Sequence, residues 1–207
     1  MALIKSTGLS QTPHLSRKQP RERANLEANL NDPSAEVRRW AARDLVECPQ
    51  ASDALVKCLR SETNASVREV ILTSLTHLGD ATAVAGLVEC LRSEDASLRN
   101  EAIEAMKQLP DAVAPIMQDL LHDDDADVRI FAVNILESLR HADVERWLCE
   151  VILSDTHINV CATAVDLLGE VGQTDALEPL RQLKARFAGE PYIEFAADLA
   201  IKRILED

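Results

Sequence analysis

Aromatic residues make up only 3 % of this 207-residue chain, and there are only six glycines. Few aromatics and few β-branched runs leave little material for sheets, so a core of Leu, Ile, Val and Ala predicts packed helices. With so few glycines there is no Gly-rich phosphate loop, and neither G-x-S-x-G nor H-E-x-x-H occurs. No stretch of about 18 apolar residues exists, which argues against a membrane span. The cysteines Cys48, Cys58, Cys90, Cys149 and Cys161 are odd in number and never spaced as CxxC, so neither a zinc site nor a disulfide framework is expected. That usage fits a reducing cytoplasm.

Positive charge is also scarce. The net charge is -13, and residues 1–23 hold +4 of it, leaving -17 on the remainder. An acidic body disfavours nucleic acid, whose phosphates need clustered Lys and Arg. Residues 1–20 are polar and basic, lack an apolar signal region, and read as a flexible tail ahead of a domain spanning 21–207.

What is present is a repeat. "DPSAEVRRWAARDL" (32–45), "ETNASVREVILTSL" (62–75), "SEDASLRNEAIEAM" (93–106) and "DDDADVRIFAVNIL" (123–136) align, followed by the weaker "DTHINVCATAVDLL" (155–168) and "EPYIEFAADLAIKRI" (190–204). Their anchors, Val37, Val67, Leu98, Val128, Val160 and Ile193, are spaced by 30, 31, 30, 32 and 33 residues. Six copies at a near-constant period predict a solenoid. Each unit reads as two helices: Val113, Ile116, Met117, Leu120 and Leu121 form one stripe, and Val128, Ala132, Ile135, Leu136 and Leu139 another. Ser34, Asn64, Asp95 and Asp125 stand three residues before their anchors, where a side-chain oxygen caps a helix. Gly79 and Gly172 suit helix ends, and Pro49 and Pro110 block continuation. The cluster His122, Asp123, Asp124, Asp125 and Asp127 could offer metal ligands, but the other copies keep the turn without it, so capping is the expected role.

Paired helices of about 30 residues with D-x-x-x-x-V-R-x-x-A-x-x-x-L resemble HEAT repeats. The short period, "LTHLGDATAVAGL" (75–87) and "LLGEVGQTDALEPL" (167–180) resemble the bilin-lyase-type (phycobilisome lyase HEAT-like) subclass. The resemblance implies an all-α, right-handed solenoid of about six HEAT-like helix pairs, with the second helices lining its concave side. It also implies a polar ladder between repeats, with Arg38, Arg68, Arg99 and Arg129 as its bases and Asp32, Asp123 and Asp155 as its acids. HEAT-class hydroxylases use repeated His-Glu pairs, which are absent, and HEAT-type DNA glycosylases need a basic face.

No catalytic constellation stands out, so the chain is expected not to be an enzyme and to need no cofactor. Residues two, three and six after each anchor should face outward. Apolar and basic groups there, Arg39, Trp40, Arg43, Val70, Ile130 and Phe131, predict a partner-binding strip, since Trp and Arg often carry interface energy. The alternative is that Trp40 packs under the tail and Phe131 fills a groove between repeats. Trp147 takes the slot that other units fill with Gly86, Pro115 and Pro179, where it either covers a helix end or marks a contact patch. Two functions stand side by side: a non-catalytic adaptor or scaffold, monomeric, holding a protein partner on its concave face; or a bilin-lyase-like or cofactor-handling chaperone subunit. A regulatory partner of a bacterial signalling protein is a third.

Overall fold

The computed structural model describes residues 22–48 and 50–206. The expected tail and Pro49 lie outside the described residues. The described chain is helical throughout, in the order α1 (Arg23–Asn29), α2 (Ala35–Asp44), α3 (Ser52–Leu59), α4 (Ala65–Leu78), α5 (Ala81–Cys90), α6 (Ala96–Lys107), α7 (Pro110–Leu121), α8 (Ala126–Leu136), α9 (Val144–Ser154), α10 (Ile158–Val171), α11 (Leu177–Arg186) and α12 (Pro191–Glu206). Short 3-10 turns at Leu45–Glu47 and Thr174–Ala176 complete it. No strand occurs among the described residues. Twelve helices in six pairs give an all-α solenoid.

The helices sort into two layers. The second helix of each pair packs on its counterpart in the next: α2 on α4, α4 on α6, then α8, α10 and α12. First helices form the other layer, α3 on α5 and α9 on α11. The core lies between the layers. Four of the six anchors are sealed, with Val67, Val160 and Ile193 at 0 % exposure and Val128 at 1 %. In the first and third pairs Val37 and Leu98 remain half-buried.

Sequence chemistry explains the turns. Asn64, Asp95 and Asp125 each accept a hydrogen bond from a backbone N–H in the first turn of the helix they precede. Ser34 stands at the same position but makes no such bond; there the Asp32 carboxylate accepts the Ser34 N–H at 2.8 Å instead. In the aspartate knot, Asp123 accepts the Asp125 N–H and Asp125 accepts the Asp127 N–H, both at 2.9 Å, so these carboxylates close the turn. Gly79 ends α4 with φ +57, a conformation that glycine adopts without a Cβ penalty. Gly172 ends α10 in an extended conformation, and Pro110 opens α7 at its first position, where its missing N–H costs nothing.

Inter-repeat polar contacts run along the seam. Arg38 pairs with Glu62 of the next unit through two bonds, at 2.6 and 2.9 Å, and donates to the Asp32 carbonyl at 2.8 Å. Arg68 reaches Asp95 at 2.5 Å and Glu101 at 3.4 Å. Arg129 holds Asp155 at 2.6 and 3.1 Å and the Asp123 carbonyl at 2.7 Å. Arg99 departs from this pattern: it donates to the Ser93 carbonyl at 2.6 Å and lies 5.8 Å over the Phe131 ring, because the next acid, Asp123, is engaged by Arg92. In the fifth unit Cys161 replaces the arginine, and Arg186 enters from the following helix, 3.3 Å from the sulfur, to bind the Ile152 and Leu153 carbonyls. In the last unit Glu194 and Asp198 occupy the positions that would face a further repeat, and both stay in contact with solvent.

Candidate partner-binding face

The exposed side of the second-helix layer holds the candidate strip. Between α2 and α4 it dips into a groove of about 520 Å³ whose walls include Arg39, Arg43, Glu69, Val70, Thr73 and His77. Helical spacing brings Arg39 and Arg43 to one face, four residues apart. The Ser74 hydroxyl donates to the Ala42 carbonyl at 3.1 Å, across the α2–α4 contact, and fixes the groove's floor. Trp40 stands beside the groove, 39 % exposed, with the Arg43 guanidinium 4.4 Å above its ring. That stacking holds two of the candidate residues in one orientation.

Ile130 and Phe131 belong elsewhere. Both lie on α8, half-buried and packed on the core, and α6 separates them from the α2–α4 groove. The six residues therefore do not form one continuous strip. Arg39, Trp40, Arg43 and Val70 come together, and Phe131 fills the inter-repeat groove beneath Arg99.

A third patch went unmarked in the sequence reading. On α12, Tyr192, Phe195 and Leu199 are 54 %, 66 % and 38 % exposed. They fall at i, i+3 and i+7, one helical face. Phe195 and Leu199 stand two and six residues after the anchor Ile193, in register with Arg39 and Arg43 after Val37. The signal is present in "EPYIEFAADLAIKRI", where the residues two and six after the anchor are both apolar. The Tyr192 hydroxyl donates to Asp166 at 2.7 Å, tying the patch to α10. From one end to the other, the face is cationic and aromatic on α2, acidic at the exposed Glu69 and Glu104, and apolar on α12.

The electrostatics of the seam behind this face is settled by its pairs. Hydrogen bonding from Arg38 holds the Glu62 carboxyl below the usual carboxylate range, against the opposing cost of burial. Burial pushes the Cys90 and Cys149 thiols up to about 11, so neither is a ready thiolate at neutral pH. Among the described residues, no three His, Cys, Asp or Glu side chains gather as a metal would require.

A HEAT-repeat family profile matches residues 22–107, 52–129 and 113–186, nearly the whole solenoid. The chain belongs to the HEAT-repeat family. Over 75 residues it is 37 % identical to the bilin biosynthesis protein PecE of Nostoc sp., covering 35 % of this chain and 30 % of that protein. The same identity over the same length holds for PecE of Mastigocladus laminosus, where 28 % of the relative is covered. The match thus spans less than a third of these curated relatives. Among solved structures, Drosophila melanogaster Mini spindles TOG3 superposes with a TM-score of 0.57 at 15 % identity, over 89 % of this chain and 95 % of that one, a likeness of fold alone.

These relatives overturn one expectation. The chain was expected not to be an enzyme because no catalytic motif stands in its sequence. Both curated relatives are named for bilin biosynthesis, so a missing motif does not argue against a part in chemistry. Motifs are short local signatures, whereas a solenoid assembles its surfaces from residues about 30 positions apart.

Proposed function

We propose that this HEAT-repeat protein is a bilin-handling subunit of the lyase type, taking part in the attachment of a linear tetrapyrrole to a protein or its removal. The observation that carries this reading is the 37 % identity over 75 residues to two bilin biosynthesis proteins. The groove between α2 and α4 would grip the pigment-carrying protein. Arg39, Arg43 and Trp40 there supply the residue types that dominate interface energies, and Val70 adds an apolar wall. The second-helix layer is stiff because each helix is held by its neighbours, which lets a curved surface position a large partner at little ordering cost.

Titration with biliverdin, followed by absorbance and induced circular dichroism, tests the pigment half of this reading. A saturable red shift with an induced signal is the expected outcome. A spectrum unchanged at tenfold excess of protein sinks it. The partner half is tested by measuring affinity for a bilin-carrying acceptor protein with wild type and with the Arg39→Ala/Trp40→Ala/Arg43→Ala variant. We expect at least a tenfold loss, and equal affinities would remove the α2–α4 groove from the interface.

A further inference from the structure

Among the described residues the three most exposed large apolar side chains are Phe195, Leu205 and Tyr192, at 66 %, 64 % and 54 %. All three lie on α12, and Leu199 joins them at 38 %. Elsewhere such groups stand singly: Trp40 on α2, Leu153 on α9 and Val171 on α10. Scattered apolar residues are ordinary on a surface, whereas a contiguous set marks a contact. The core side of α12 is separate and complete, with Ile193, Ala197, Ala200 and Ile204 buried. This helix is therefore apolar on two sides, and a helix of that kind is covered on both.

The spacing on the open side is that of a helix pair. Tyr192, Phe195, Leu199 and Lys202 follow one another by three, four and three residues, the a and d positions of a heptad, and Leu205 lies beside that seam. The strip is polar at both ends, with opposite signs. At one end the Tyr192 hydroxyl donates to Asp166, an exposed carboxylate of α10. At the other, Lys202 is 67 % exposed and holds only a loose contact with Glu206, 3.7 Å away. Asp198, near the middle, is already held by Lys184 and brings no bare charge. Two copies of such a strip fit in one direction only. Laid parallel, each Lys202 faces its own copy, and like charges repel there. Laid antiparallel, a positions meet d positions. Phe195 then meets the partner's Leu199, and Lys202 meets the partner's Tyr192 and the partner's Asp166.

We propose that α12 is a self-association surface, on which a second copy of this chain docks its own α12 antiparallel, with a twofold axis passing between Phe195 and Leu199. Such an axis makes every contact twice, so each complementary charge pair is also formed twice. Area sets the strength. An aromatic side chain carries about 150–250 Å², so the open fractions of these two rings and two leucines leave roughly 400 Å² of apolar surface per copy. A stable interface buries about 800 Å² per partner. The strip is thus the centre of an interface that stays reversible, with a Kd on the order of 10 µM. The pairing is independent of the bilin reading. It uses the sixth helix pair and leaves the α2–α4 groove of the first two pairs open on both copies.

Sedimentation velocity of the full chain at low salt, from about 1 to 300 µM, tests it. We expect the mean mass to rise with concentration from one copy toward two. Phe195→Ser alters a ring that is already two-thirds in solvent, so helicity and Tm should hold while association weakens at least tenfold. Charge reversal tests the direction. Lys202→Glu alone and Asp166→Lys alone should each weaken association at least fivefold, because each sets like charges against one another at both ends. In a mixed pair of these two variants both contacts join opposite charges again. A one-to-one mixture should therefore associate about as well as the wild type, an outcome that misfolding of either variant cannot produce. A chain that stays single at every concentration leaves the strip to a different protein and overturns the proposal. So does association that Phe195→Ser leaves unchanged, or growth beyond two copies. A mixture no better than either variant alone overturns the antiparallel pairing.

Discussion

Arg38 and Arg129 each spend their guanidinium on the unit that follows, and the acids they hold are nearly sealed: the side chains of Glu62 and Asp155 are 3 % and 7 % exposed. A carboxylate that loses its cation in such a place keeps its desolvation cost and loses its compensation. Glu62, depressed by its bond to Arg38, and Asp155, which burial would raise but Arg129 and the His157 N–H lower, both bind protons more weakly folded than unfolded. Their stabilisation is therefore fully present above the unfolded values near 4 and is lost as pH falls through the lower folded values. Thermal melts from pH 6 to pH 2 should show Tm falling below about pH 4, and Glu62→Gln should flatten part of that fall. A Tm independent of pH over that range would show that these pairs contribute nothing. At the same scale, Trp40 and Phe131 part company. Trp40→Ala removes a ring already 39 % exposed and should cost under about 1 kcal/mol, whereas Phe131→Ala opens a hole against the core and should cost about 2–3 kcal/mol. Chemical denaturation of the two single variants decides it, and equal losses would place both rings in the same environment.

Helices and their junctions were legible in the sequence wherever chemistry was local. The anchors, the acidic caps and the glycine stop at Gly79 are each fixed by residues within one turn, so the period of about 30 carried directly to six helix pairs. What was not legible depends on contacts a full repeat away. Arg99 has no acidic partner in the next unit, where Asp123 is held by Arg92 from the turn between α5 and α6. Phe131 is half-buried, with the Arg99 guanidinium of the preceding pair lying over its ring. Gly86 and Trp147 hold the same slot, yet one closes the first-helix layer and the other opens it, a difference that only the facing helix decides. This gives a prediction at the level of elements. Gly86→Ala puts a methyl against the branched Val56 side chain, stiff at χ1, and should destabilise by about 1–3 kcal/mol. Adding Val56→Ala should restore much of that loss, measured as a coupling energy in a double-mutant cycle. Simple additivity would mean that α3 and α5 part freely.

Along the whole molecule, stability should be uneven, because a solenoid's units answer only to their neighbours. The last two pairs are bound most extensively: α12 packs broadly on α10, α11 packs on both α9 and α12, and Arg186 ties α11 back to the end of α9. Ahead of that block, α7 contributes almost nothing to α9, so the fourth and fifth pairs are joined mainly through α8 and α10 and the Arg129–Asp155 pair. An opening that separates units should divide the chain there. Hydrogen exchange under mild denaturant should therefore show residues 144–206 protected as one cooperative block, with α7 and the loop before α9 exchanging earlier. Arg129→Ala should widen that gap by loosening the junction without unfolding the C-terminal block. Uniform protection across all six pairs, or a block whose limits ignore the α7–α9 opening, would show that the second-helix layer alone carries cooperativity through the molecule. The α7–α9 cleft would then be a static notch in a uniformly stable stack.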